Sequence, residues 1–394
     1  MAKTVLILAD AFPPGFAPRM GYLSKYLSKH GWKGIAVSPV RDVDNNNFNF
    51  LSGYIPCKML YVSKQSRTNL IKRKIDSQIL RRKMINCVKE ILSHRKIDVL
   101  LCSTSHLFPL NIAYEISKKN GIPWIADLRD IYEQYPVKGF FLMELYKKKC
   151  MLKRNRLLKH AKIITTVSNK HVETLGRLGL NAHCIFNGFD SAIFAPSKNH
   201  NLDKFRIIYA GRLEERQVGQ DVSPLFSVIQ QLYIDNDIDF ENCRIQFYSN
   251  KKSHQIVNEL KEFFRIAEFV DCFDYVSGYE VPKILNESSI LLLLLSKGNL
   301  GIMTTKFFEY LAVARPILCI WSDEGAVEDI IINSNAGVAA KTEDDIKYFI
   351  KTKYDEWLKT KYTESDVDLN YIKYFTREHG AKQFIELFNA ALES

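Results

Sequence analysis

Thr304, Thr305, Lys306 and Glu309 fall within one short stretch, TTKFFE, and bring together hydroxyls, an ammonium and a carboxylate. Thr305 and Glu309 are four residues apart and Lys306 and Glu309 three apart, so on a helix all three share one side. The free backbone N–H groups at the start of such a helix attract an anion, and the helix dipole adds to that attraction. Glu309 then sits roughly 6 Å along the axis from the helix mouth, at about 1.5 Å per residue. That is near the span from a diphosphate to the vicinal hydroxyls of its ribose. A carboxylate accepts from both hydroxyls, while a lysine neutralises phosphate. The same spacing fits an ordinary Lys–Glu pair on the surface after a strand–helix loop, and spacing alone does not choose.

These residues need a strand before them and another behind. Residues 290–295 are an unbroken apolar run, suited to a strand buried on both faces of a parallel sheet. A loop with Gly298 and Gly301 follows, Pro316 ends the helix, and residues 317–320 begin another buried strand. Earlier in the chain the pattern predicts strands at 3–9, 34–38, 97–103, 123–126 and 163–167, and helices at 22–30 and 111–119. Residues 184–186 lead into a turn at Asn187 and Gly188. A polar stretch at 196–203 breaks the alternation and reads as an interdomain linker. Strands at 205–210, 244–248 and 269–275 then alternate with helices at 224–236, 254–264 and 281–287. Strands alternating with helices predict the α/β class with doubly wound parallel sheets. Two domains are expected, 1–196 and 204–375, facing each other across a cleft, with a last helix at 376–394 packing back on the first. Ligands of such sheets collect at the carboxyl ends of the strands.

A chain of 394 residues has room for two or three domains, and 46% hydrophobic with 25% charged residues is a globular composition. No apolar run approaches the ~20 residues that span a bilayer. The start, MAKTVLILADAFPP, is interrupted by Asp10 and prolines and lacks a cleavage site, so a buried strand is expected rather than a signal peptide. The eight cysteines are scattered without metal spacing, which predicts a reducing cytoplasm and no structural zinc. The net charge of +11 gathers in the first half: 64–96 carries only Asp76 and Glu90 against many bases, and 147–162 carries no acid. Such patches meet nucleic acid, an anionic membrane surface or an acidic substrate. No helix-turn-helix, zinc finger or aromatic RNA-binding strand accompanies them, so no nucleic-acid partner is expected. In GFFLMELYKKKCMLKRNRLLKHA, Phe140, Phe141, Leu142, Leu145, Met151 and Leu152 stand beside the lysines. Read as a basic amphipathic helix, this segment suits shallow docking on anionic lipid, and it equally suits a core helix with a solvated face.

Five segments in collinear order carry a resemblance that covers nearly the whole chain. ADAFPPGFAPRMGYLSKYLSKHGW, IPWIADLRDIY, IITTVSNKHVETL with CIFNGFDSAIFAP, IIYAGRLEERQVGQDVSPLFSVI and TTKFFEYLAVARPIL resemble motifs of GT-B glycosyltransferases. They are most similar to the large retaining family 4 group that builds bacterial polysaccharides. The resemblance implies two Rossmann-like domains, the second holding a nucleotide-sugar with Glu309 on the ribose and Thr304, Thr305 and Lys306 at the diphosphate. It places Gly211, Arg212 and Arg216 in the loop after strand 205–210. Arg212 and Arg216 would be the catalytic cations that stabilise the departing nucleoside diphosphate. Arg212 also fits a plain surface position. Gly15 would allow close approach of donor phosphate or acceptor, or simply make a tight turn. Asp130 would hold the acceptor or accept its proton; an ion pair with Arg129 or a helix cap is the alternative. His106 is a further cleft candidate, though a structural histidine is the expectation there.

One departure concerns Gly301, which stands where many family members have a second glutamate, eight positions before Glu309. It counts among the donor-binding residues through its backbone N–H alone, and the retaining outcome is inherited from the resemblance. The sequence is read as offering no Asp-x-Asp motif with which to bind a metal in the manner of GT-A enzymes, so no metal and no cofactor are expected. The resulting expectation is an enzyme that transfers a hexose-type sugar, with retention, from a UDP-sugar to a glycan or lipid-linked glycan in surface polysaccharide synthesis. It would be cytoplasmic, peripheral at the inner membrane face, and hinged near 197–203. Two other readings stay open: a nucleotide-sugar 2-epimerase of the same fold, and a non-catalytic nucleotide-sugar-binding protein.

Overall fold

A computed structural model describes residues 2–40, 49–61, 70–134, 141–197, 201–213, 220–295, 303–322 and 325–393. The chain divides into two compact units, Met1–Phe186 with Arg377–Ser394, and Asn187–Thr376.

In the first unit the alternation runs β1 (Lys3–Ala9), α1 (Pro18–Leu27), β2 (Trp32–Val40), β3 (Cys57–Tyr61), α2 (Leu70–His94), β4 (Val99–Thr104) and α3 (Leu107–Asn120). It continues with β5 (Trp124–Leu128), α4 (Phe141–Leu158), β6 (Ile163–Thr166), α5 (Asn169–Gly176) and β7 (Ala182–Cys184). The second unit runs β8 (Phe205–Ala210), α6 (Ser223–Ile234), β9 (Cys243–Ser249), α7 (Lys251–Phe263), β10 (Val270–Asp274) and α8 (Val281–Asn286). Then come β11 (Ile290–Leu294), α9 (Thr305–Val313), β12 (Ile317–Ile320), α10 (Ala326–Asn333), β13 (Gly337–Ala340), α11 (Glu343–Thr360) and α12 (Leu369–Ile372). Finally α13 (Arg377–Glu393) returns to the first unit. Its rings pack against β2, where Trp32 and Phe388 meet edge to face at 5.2 Å.

The sheets are ordered β3-β2-β1-β4-β5-β6-β7 and β10-β9-β8-β11-β12-β13, and every pairing is parallel. Central strands are buried throughout, as Val99–Thr104 and Ile290–Leu294 show. That is what helices on both faces of a parallel sheet require. Local sequence fixes the helix starts. Ser168 accepts from His171 N to cap α5, Asn250 accepts from Ser253 N to cap α7, and Thr342 with Asp345 forms a capping box on α11.

Several features depart from the sequence pattern, among them α10, β13, α11 and α12, which it does not anticipate. β3 and the 25-residue α2 fill a region for which periodicity gives no element, because dense lysine and arginine mask the apolar stripe. The division between units also falls at Asn187 rather than in the polar stretch at 196. Phe189 N donates to Phe375 O (3.1 Å), Ser197 N to Asn286 Oδ1 (2.7 Å) and Asn286 Nδ2 to Ala195 O (3.0 Å), which ties this strip into the second unit.

The centre of the first unit is polar at one point. Asp127 on β5 is fully buried and accepts from Arg19 Nη2 (2.9 Å), Ser103 Oγ (2.7 Å) and Thr165 Oγ1 (2.8 Å). Arg19 also donates to Ile185 O (2.8 Å), so α1, three strands and the end of the unit converge on one carboxylate. Burial alone would raise the Asp127 pKa. The Arg19 charge and the three donors outweigh it and hold the carboxyl below its ordinary 3.8. Its contribution to stability is therefore present above pH 3.8 and is lost as pH falls through the lower folded value. Asp127→Ala, which strands Arg19 without its partner, should cost the first unit about 3–5 kcal/mol, seen as a lower urea midpoint. In Asp127→Asn the acid limb of the stability–pH curve should become shallower.

Candidate functional site

In the second unit β8 and β11 lie side by side, and the chain leaves them toward opposite edges of the sheet. The loops beyond their carboxyl ends therefore diverge and open a crevice, the usual ligand position in such sheets. Gly211 and Arg212 start the loop after β8, and Thr304 stands where the loop after β11 meets α9. Thr304 has extended backbone at the N-cap of α9 (φ −80°, ψ 152°) but its side chain makes no capping bond. Its Oγ1 is buried without a hydrogen-bond partner among the described residues. The mouth of α9 thus sets a buried hydroxyl beside a helix start, an arrangement that suits an outside polar group.

Lys306, one residue into that helix, reaches across to β8. Its Nζ donates to Tyr209 Oη (3.0 Å) and lies 4.5 Å from the centre of the Tyr209 ring. Tyr209 Oη in turn donates to the Arg212 carbonyl (2.8 Å), so the phenol links the lysine to the β8 loop. The lysine passes directly over Gly211. A Cβ there would meet Lys306 Nζ at 2.2 Å and Cδ at 2.7 Å, and its φ of +154° is itself a glycine conformation. Ser249 Oγ donates to Gly211 O (2.6 Å) and Gly211 N to Tyr248 O (2.9 Å), which fixes the turn from the β9 side. Tyr310 Oη, fully buried under α9, accepts from Ala210 N (3.1 Å) and locks helix to strand. Glu309 lies one turn beyond the helix mouth and is half-buried.

The structure therefore brings together Gly211, Thr304, Thr305 and Lys306, with Glu309 on the same helix. Arg212 contributes its backbone carbonyl to the site while its side chain is exposed. Arg216 and Gly301 lie outside the described residues. Arg315 of the RPI triplet has a structural role: it is buried, donates through Nε and Nη2 to Asn286 O, and stacks 4.3 Å from the Tyr362 ring. Contrary to the sequence reading, Asp-x-Asp triplets do occur, but those among the described residues lie away from this crevice. Asp235, Asp237 and Asp239 precede β9 at its amino end, where Lys347, Lys351 and Tyr354 hold them, and Asp368 caps α12. No group of three or more potential metal-ligating side chains occurs among the described residues.

The first unit repeats the arrangement, with β1 and β4 adjacent and the chain turning away from them in opposite directions. Gly15 sits in the loop after β1, where its N–H donates to Phe12 O (3.0 Å) and an added Cβ would press on that oxygen at 3.1 Å. Asp130 follows β5. It pairs neither with Arg129 nor with a helix end: Ser105 Oγ and Gln134 Nε2 each donate to it at 2.8 Å. Arg129 instead pairs with Asp10 from the β1 loop. His106 is exposed at the N-cap of α3; its backbone N–H donates to Thr104 Oγ1 (2.9 Å) and its carbonyl accepts from that hydroxyl (3.4 Å).

Sequence reasoning passed over His171, which is 2% exposed on α5. Its Nδ1 meets Thr166 Oγ1 at 3.1 Å, and its Nε2 is buried without a partner among the described residues. Burial drives its pKa down to about 4 against the opposing pull of Asp130 and Glu133, with Arg154 adding to the fall. The ring is neutral at pH 7. Only its place in SNKHVE, third in a capped helix after a strand, hints at burial.

Two measurements check this geometry. The His171 ring resonance should titrate with a midpoint near pH 4, and the ring's contribution to stability should be lost as pH falls from 6.5 toward that value. Gly211→Ala should lower the thermal stability of the second unit by about 1–3 kcal/mol, because both the backbone and Lys306 must move. Unchanged melting would remove the close approach.

No family model matches the sequence, and no curated protein matches it. Solved structures do match in fold. Sucrose-phosphate synthase from Thermosynechococcus elongatus is 12% identical, with a TM-score of 0.69 over 98% of each chain. HepE from Anabaena, solved with UDP and glucose, is 13% identical, with a TM-score of 0.68 over 98% of this chain and 100% of that one. A protein described as a putative UDP-N-acetylglucosamine 2-epimerase from Listeria monocytogenes is 12% identical, with a TM-score of 0.57 over 98% and 95%. The two parallel sheets and their flanking helices, matched along almost the whole chain, are the GT-B fold.

Proposed function

We propose that this chain is a nucleotide-sugar glycosyltransferase of the retaining family 4 type. It would move a hexose-type sugar from a UDP-sugar to a glycan or lipid-linked glycan in polysaccharide synthesis. One observation carries the reading: beside the crevice at β8 and β11, Lys306 lies over Gly211 next to a helix mouth whose Thr304 hydroxyl is buried without a partner among the described residues. A diphosphate would satisfy both the lysine and the hydroxyl, together with the N–H groups at the start of α9. Glu309, one turn on, would then accept from the ribose hydroxyls. The UDP and UDP-glucose complexes of the fold's other members support the choice of donor.

The chemistry follows from where negative charge grows. Cleavage of the sugar–phosphate bond leaves a nucleoside diphosphate, and donors fixed before the reaction lower the barrier without reorganising during it. Lys306, Arg212 and Arg216 would supply the positive charge, which makes a metal dispensable. In the first unit Asp130, held by Ser105 and Gln134, would orient the acceptor hydroxyl or take up its proton, and Gly15 would keep the β1 loop close to the substrate.

The epimerase reading is favoured by one finding, the likeness to the Listeria protein, and an acceptor-free incubation separates the two. A transferase leaves a UDP-sugar unconverted to its epimer and needs an acceptor for turnover; a new UDP-sugar formed without acceptor would sink the proposal. Transfer should persist in excess EDTA. Glu309→Ala should weaken UDP-sugar binding tenfold to a hundredfold, about 1.5–3 kcal/mol for charge-assisted hydrogen bonds, as read by calorimetry. Wild-type affinity in that variant would remove Glu309 from the site.

A further inference from the structure

The two halves of α4 have opposite characters. In its second half Cys150, Arg154, Leu157 and Leu158 are buried while Leu152 stays exposed, and Arg154 holds Glu133 through two bonds of 2.7 and 2.6 Å. In its first half Phe141, Leu142, Met143, Leu145 and Tyr146 are between 47% and 73% exposed. The helix has 18 residues, about 27 Å, whereas β5 and β6 beside it have five and four, about 17 Å at most. Anchored at its carboxyl end, α4 must outrun the strands by roughly 10 Å at its amino end. A crossover helix runs antiparallel to its strands, so this projecting end lies on the side of the sheet that carries Gly15 and Asp130.

The apolar side chains do not form the stripe that a basic amphipathic helix would show. At about 100° per residue, five of the first six positions cover more than half the circumference, and Glu144 occupies the remaining flank. A groove on a partner protein covers only about a 100° face of a helix, whereas a lipid layer surrounds it. Immediately behind the apolar end come Lys147, Lys148 and Lys149, and from there to Lys162 no acid occurs. Phe141 to Lys147 spans about 9 Å along the axis, close to the depth of the headgroup boundary of a bilayer. Lysines at that depth reach lipid phosphates while their stems stay in apolar surroundings.

We propose that the amino-terminal half of α4 is a membrane-docking tip that enters the headgroup layer of an anionic bilayer. The apolar end penetrates, the lysine collar pairs with lipid phosphates, and Glu144 tilts the helix so that its flank stays wet. The docking stands on these residues alone. Its consequence, that a lipid-carried acceptor would arrive on the Asp130 side, rests on the glycosyltransferase reading.

The test is flotation of the full chain with vesicles of phosphatidylcholine containing phosphatidylglycerol, and with phosphatidylcholine alone, at low and high salt. The wild type should partition at least about tenfold more strongly onto the anionic vesicles at low salt. Phe141→Ser, Leu142→Ser and Leu145→Ser combined should abolish binding at every salt concentration. Lys148→Gln with Lys149→Gln should remove most of the salt-sensitive part. The substituted side chains are exposed, so melting and UDP binding should match the wild type, and UDP binding reports on the functional reading separately. Equal partition onto both vesicles, or wild-type binding by the serine variant, overturns the proposal. So does failure to float together with a dimer that the serine variant dissociates, which would assign the tip to a second copy of the chain.

Discussion

A parallel strand can be followed by another only if the chain returns across the sheet, and here helices make that return. Each helix therefore delivers its amino end, with unpaired N–H groups, to the side where the strands finish. Both sheets also reverse direction at their centre, between β1 and β4 and between β8 and β11. Each reversal leaves two neighbouring loops with nothing crossing between them. Gly211, Thr304 and Lys306 in one unit, and Gly15, Ser105 and Asp130 in the other, stand where they do because of this constraint.

The two groups are built on different electrostatic plans. In the second unit a lysine rests on a phenol and a ring face beside a helix mouth, and glycine at 211 is what gives it room. In the first unit carboxylates dominate, and each has its own donors: Asp127 has Arg19, Ser103 and Thr165, Asp10 has Arg129 and Thr104, and Asp130 has Ser105 and Gln134. One arrangement suits a phosphate and the other a hydroxyl or a proton.

Periodicity along the chain was sufficient for β1, β8 and β12, whose ends match the apolar runs residue for residue, and for the i, i+3, i+4 set on α9. It was insufficient where the deciding partner is remote in sequence. Nothing near Asp130 says that Ser105 rather than Arg129 will hold it, and nothing near Lys306 names Tyr209, ninety-seven positions away. α4 shows the reverse failure. Its composition suggests an amphipathic stripe, yet most of its exposed apolar side chains gather toward the amino end while others are buried near the carboxyl end, a distinction that only burial reveals. α2 gives no periodic signal because charge outweighs its apolar positions.

Because α13 belongs with the first unit, that unit is made of two pieces with the whole of the second between them. During synthesis the apolar side of α1 stays bare until the last helix emerges, and closing so long a loop carries a large entropic cost. The second unit lessens it. Phe189 pairs in parallel with Thr376, so once folded this unit gives the chain back almost where it received it. A nascent chain whose interior half has already condensed can thus finish the outer half by a short-range step, and slow condensation of the inner part would delay both.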